Sequence, residues 1–138
     1  MIIDRNILKK LYDKYNQEYF LGYLPTCPLY THDSYKLLGH YSFDLGRDGS
    51  VVGHSITISD SYDWTEEQLR DVLVHEMVHE YLIYYGLDTT GKHTKLFKSF
   101  MNRLNKEHGL NMAVITDLSD FKIRKGKSKL GQIFHTLF

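Results

Sequence analysis

The stretch VLVHEMVHEYL, residues 72–82, constrains this 138-residue chain more than any other. His75, Glu76, His79 and Glu80 sit inside its most apolar run. Polar groups in apolar surroundings cost free energy unless something satisfies them. On a helical wheel with His75 at zero, His79 falls at about 40°, Glu76 at about 100° and Glu80 at about 140°. Leu73, Val74, Met77, Val78, Tyr81, Tyr84 and Tyr85 fall between about 160° and 300°, one broad apolar arc. The pattern predicts a helix with its back in a core and its front on water, or on something that it holds.

The flanks mark where that helix starts and stops. Thr65 with Gln68 makes a capping box, and Trp64 with Leu69 a hydrophobic staple. Glu66, Glu67 and Asp71 favour the positive end of the helix dipole, and Gly86 is a natural C-cap. Before it, residues 4–20 read as a helix capped by Asp4 or Asn6, with Ile7, Leu8, Leu11, Tyr15 and Tyr19 on one face, ended by Gly22 and Pro25. CPLYTH, KLLGHYSFDL and SVVGHSITIS read as strands, the last two joined through Asp48-Gly49, a hairpin signal. After it, a helix from about Thr94 to Glu107 turns Leu96, Phe97, Phe100, Met101 and Leu104 inward and stops at Gly109. MAVIT, FKIR and QIFHTLF are candidate short strands. The expected class is α+β, a single domain with an N-terminal helix, a small antiparallel sheet, the polar-fronted helix and one more helix.

A hydrophobic share of 42% supports one packed core. No apolar run reaches the ~18 residues of a membrane span, and the charged, periodic N-terminus does not read as a secretory leader. Cys27 is the only cysteine. An internal disulfide is excluded, and a reducing, cytoplasmic setting is expected. Charge is uneven. Residues 121–138 carry Lys122, Arg124, Lys125, Lys127 and Lys129 and no acid, so at zero net charge the preceding 120 residues carry the compensating −5. A domain over 1–120 with a basic segment over 121–138 follows. That segment suits weak DNA contact, or simply solvation.

His75 and His79 stand one turn apart, so their imidazoles can converge on one metal ion. Glu76 can reach a water beside that ion without being a ligand. This is the physical content of H-E-x-x-H on a helix: two zinc ligands and a general base. A catalytic zinc takes a third protein ligand. His93, after the loop GLDTTGK, is the best candidate, with His32, His40, His54, His108 and His135 as rivals. His40 and His54 are expected to pack or to line a cleft. Glu80, farther round, reads as a supporting or surface carboxylate.

VLVHEMVHEYL followed by GKHTKLF resembles the SprT-like zinc metalloproteases, which include the Spartan protease domain. YNQEYFLGYLP upstream, and HSITIS leading into LRDVLVHEMVH, extend the resemblance over roughly residues 7–105. It implies a zincin-like fold, Zn2+ as cofactor on His75, His79 and His93, a catalytic Glu76, and a protein or peptide substrate, including proteins on DNA. Thr94 stands where the family often has Gly, and a cysteine-rich zinc ribbon is excluded by the single cysteine. In the mechanism so implied, Glu76 relays a proton from water to the leaving amine; the position of the strand around Ile56–Ser59, just before the active helix, suggests that an extended peptide pairs with it. The alternative is a zinc-stabilised protein- or nucleic-acid-binding module without turnover.

Overall fold

The computed structural model describes residues 1–124, together with the backbone of residues 135–136. Local chemistry sets the helix limits. In α1 (Arg5–Phe20) the Asp4 side chain accepts from the backbone N–H of Ile7, and Leu21 closes the helix in the left-handed region. Leu8, Tyr12, Tyr15 and Phe20 form its buried face. The Asn16 side chain then binds both backbone groups of Leu24 and turns the chain towards the sheet.

The sheet contains β1 (Leu29–His32), β2 (Gly39–Leu45) and β3 (Val51–Ser59), in the order β1-β3-β2. The β2–β3 hairpin turns through Asp48 and Gly49, with Gly49 at φ +82°. The expected antiparallel sheet is in fact mixed: β1 runs parallel to β3, Leu29 opposite Ile56. The 33–38 connection arches over the end of β3 so that β1 and β2 flank it. Hydrogen bonds from Ser59 N to Leu38 O and from Asp60 N to His32 O close that end. Being central, Ile56–Ser59 is paired on both sides and offers no edge to a peptide.

The helix α2 (Glu66–Tyr84) follows the short strand β4 (Tyr62–Asp63) and starts at the expected capping box. Trp64 and Leu69 are both buried, as a staple requires. From Val72 to Glu80 every residue is buried, as are Leu82 and Ile83. The polar arc therefore does not face water. The last turn leaves the core instead: Tyr84 and Tyr85, placed on the apolar arc by spacing, are exposed. There Tyr84 lies along His54, and the Tyr85 hydroxyl donates to Tyr23 O at the margin of the core.

Thr94 caps α3 (Lys95–His108), and Gly109 closes it at φ +69°. Phe97, Met101 and Leu104 are buried, Phe100 partly so, and Leu96 is exposed. The chain then makes β5 (Ile115–Thr116), a 3-10 turn (Leu118–Asp120) and β6 (Lys122–Ile123), which pairs with β4. Phe121 packs edge-on against Tyr62 and Trp64. The strand β7 (His135–Thr136) pairs with β5. Lys125, Lys127 and Lys129 lie outside the described residues. No helix among the described residues is long and apolar enough to cross a membrane.

At Gly39 the sheet backbone comes close to the helix. A Cβ there would lie 2.9 Å from Val72 Cγ1 and 3.0 Å from Glu76 Oε2. Overpacking of this kind costs about 1–3 kcal/mol. Gly39→Ala is therefore expected to lower the urea-unfolding free energy by that amount, and an unchanged midpoint would show that β2 does not press on α2.

Candidate metal centre

His75 and His79 project from successive turns of α2, with ring centroids 5.2 Å apart. His93 comes from the loop between α2 and α3, and that loop is built to return it. Gly86, at φ +72°, lets the chain leave the helix, and the backbone N–H groups of Leu87 and Asp88 both donate to Leu82 O. The Asp88 carboxylate then collects the Thr90 N–H, the Thr90 hydroxyl and the Gly91 N–H at 2.8–3.0 Å. These bonds hold the Asp88 carboxyl below its usual range although burial pushes it up. Gly91, at φ +69°, passes over Phe43, whose Cε1 a Cβ would meet at 2.9 Å. One residue past Lys92, His93 arrives with its ring centroid 5.1 Å from both His75 and His79.

One nitrogen from each of the three rings lies within 4.8 Å of the other two, and His75 Nε2 is 3.1 Å from His93 Nε2. Around a tetrahedral zinc, with Zn–N near 2.0–2.1 Å, ligand nitrogens stand about 3.3 Å apart. Phe97 forms the floor: its ring stacks on His79 at 4.1 Å and contacts His75 and His93. Its role follows from the i, i+4 relation to His93, although spacing marked it only as a core residue.

The site tests its own fit for a cation. Both ring nitrogens of His79 are buried with no hydrogen-bond partner, and each unsatisfied polar atom costs about 1–3 kcal/mol. Burial, and after it the charge of His93, push the His79 imidazole down to about 3, with Asp88 opposing and His40 assisting. It is therefore neutral at physiological pH, the form that ligates a metal. Glu76, next to His75 in the chain, is wholly buried, and burial pushes its carboxyl well above the ordinary range, against the backbone N–H of Tyr41. With a dication held by the histidines, the ionised form of that carboxylate would be favoured instead. Three converging imidazoles, one of them neutral and orphaned, fit zinc.

The other candidates are engaged elsewhere. His32 Nε2 pairs with Leu37 O. His108 stands edge-on to Tyr19. His40, on β2, is held below its usual range by burial and by His32. His54 pairs with Tyr41 and with Thr26 O. The side chain of His135 lies outside the described residues. Glu80 is a correction: it is fully buried rather than on the surface, and accepts from the Tyr12 hydroxyl. The wheel gave its direction but not that α1 covers it. Asp88, Gly39 and Gly91 were not singled out from the sequence as site residues. An Asp-x-Thr-Gly turn just before a candidate ligand was the available signal for two of them.

The model of the SprT-like family matches residues 8–117. The chain belongs to that family. A comparison with curated proteins gave no match.

Two substitutions probe the loop. His93→Ala should remove one equivalent of bound metal and the thermal stabilisation that comes with it. Gly91→Ala strains a left-handed residue by about 1 kcal/mol and pushes on Phe43, so weaker metal binding is expected from a chain that still folds. Metal titration followed by calorimetry checks both, and unaltered affinity in both variants would dismiss His93 as a ligand.

Proposed function

We propose that the protein is a zinc-dependent metallopeptidase that hydrolyses peptide bonds. The observation that carries the reading is Glu76, an enclosed carboxylate one residue from His75, in a chain of the SprT-like family. Zinc held by His75, His79 and His93 supplies a Lewis acid that acidifies water and polarises a scissile carbonyl.

Glu76 supplies the base. No side chain among the described residues hydrogen-bonds either of its oxygens, and the backbone N–H of Tyr41 leaves it capacity to accept a further proton. It takes the proton of the attacking water at a carboxylate oxygen and returns it to the departing amine nitrogen. Gly39 keeps the space over that carboxylate narrow, and the Phe97 ring keeps water from the rear of the histidines. The substrate edge moves from β3 to β2. Among the described residues no strand pairs with the outer side of β2, which packs directly on α2. An extended peptide added there lies alongside the active helix. The same reading includes weak, salt-sensitive DNA contact by the 121–138 segment, supported by its charge alone.

A binding module without turnover has no use for an enclosed carboxylate at this position, and burying one is costly. Glu76→Gln keeps size and shape and removes the base. The zinc-loaded variant is expected to cleave casein ~10²–10⁴-fold more slowly. Its melting temperature without metal should not fall, because Gln has no charge to bury. Turnover at the parent rate would remove Glu76 from the chemistry, and absence of cleavage by the loaded parent protein would favour the binding module.

A further inference from the structure

We propose that the protein holds a second transition-metal ion of the zinc class, between Cys27, His54 and Glu80. These residues come from the segment before β1, from β3 and from α2, and their ligand atoms lie within 4.8 Å of one another, as do those of the three histidines. The inference does not depend on the peptidase reading.

The first argument is charge. Glu80 is fully buried, and no ion pair reaches it among the described residues. Its donor is the Tyr12 hydroxyl, 2.9 and 3.0 Å from its two oxygens. That hydroxyl also lies 2.7 Å from Pro25 O, which can only accept. One phenolic proton therefore faces two acceptors unless Glu80 carries a proton of its own. A buried carboxylate ordinarily holds its charge with a cation or several donors. An ion at the adjacent thiol and imidazole would supply the positive charge that the ionised carboxylate needs.

The second argument is the orientation of His54. Thr26 O, 3.1 Å from Nε2, accepts a hydrogen bond and so places the ring proton there, leaving the lone pair on Nδ1. A backbone carbonyl holding the far nitrogen is how metal-bound imidazoles are oriented. Nδ1 now accepts from the Tyr41 hydroxyl at 2.8 Å, and that hydroxyl turns aside when an ion takes the lone pair. Cys27 Sγ makes a long contact of 3.6 Å with Pro28 O.

The donor set selects the ion. A thiolate, a carboxylate and a neutral imidazole on a dication sum to zero charge, which suits burial. Sulfur with nitrogen excludes calcium and magnesium, which take oxygen ligands. Bond lengths of about 2.0–2.3 Å put ligand atoms roughly 3.3–3.8 Å apart, so the cluster closes by about 1 Å or slightly more. Cys27 also borders a groove of about 900 Å³ between the start of α1 and β1. The ion would tie α2 to β3 and to the turn after α1.

Cobalt is the probe. The full chain, stripped with chelator, is titrated with Co2+ while bound equivalents and near-ultraviolet absorption are followed. Cys27 is the only thiol, so any thiolate-to-cobalt charge-transfer band reports this site. The parent protein should bind two equivalents and show the band. The double variant His75→Ala/His79→Ala should bind one and keep the band, whereas Cys27→Ser should bind one and lose it. One equivalent and no band in the parent protein overturns the proposal, whether or not Cys27→Ser folds.

Discussion

A helix buried on every side cannot carry ionisable groups unless its neighbours deal with each of them. That constraint organises this protein. Between Val72 and Glu80 no residue of α2 reaches solvent, yet four of the nine are histidine or glutamate. Leaving such groups unanswered costs several kcal/mol, a large part of the 5–15 kcal/mol that holds a domain of this size. What surrounds the helix is best understood as the answers. The histidines meet a third histidine, Glu76 meets the backbone of β2, and Glu80 meets Tyr12.

The answers are delivered by residues chosen for what they lack as much as for what they carry. Gly39 has no side chain where β2 crosses Glu76, and Gly91 has none where the loop crosses Phe43. Asp88 spends its carboxylate on the loop's own backbone, so the chain between α2 and α3 is shaped before any ion arrives. Asn16 and Asn105 do matching work at the ends of α1 and α3, each binding both backbone groups of a residue seven or eight positions on. The result is a stiff frame around a polar centre, as a site that must hold its geometry requires.

Much of this was legible in the sequence where the determinant is local. The Thr65–Gln68 box, the cap at Asp4 rather than Asn6, Gly109 and the Asp48-Gly49 turn each act within a few residues, and each was found in place. The His75–His79 pair and His93 were legible because ligand spacing and a loop with glycine are short-range signals too. What failed was long-range. Nothing in LYTH says that β1 runs parallel to β3, since pairing depends on how residues 33–38 cross the sheet. The wheel gave the bearing of Glu80, Tyr84 and Tyr85 but not what covers them, so the acid came out buried and the two tyrosines exposed. Leu96 fell on the apolar face of α3 by spacing and is exposed, because at that end of the helix it is Phe97 that turns towards the histidines.

The central claim is that the three histidines exist to hold a metal ion. Anomalous diffraction at the zinc absorption edge, on crystals of the full chain grown with zinc, tests it most directly. The account predicts a strong anomalous peak bounded by ring nitrogens of His75, His79 and His93, with the Glu76 carboxylate close by but not bonded to the ion. Crystals containing zinc without a peak among these three rings, or with Glu76 as a direct ligand in place of one of them, would contradict it.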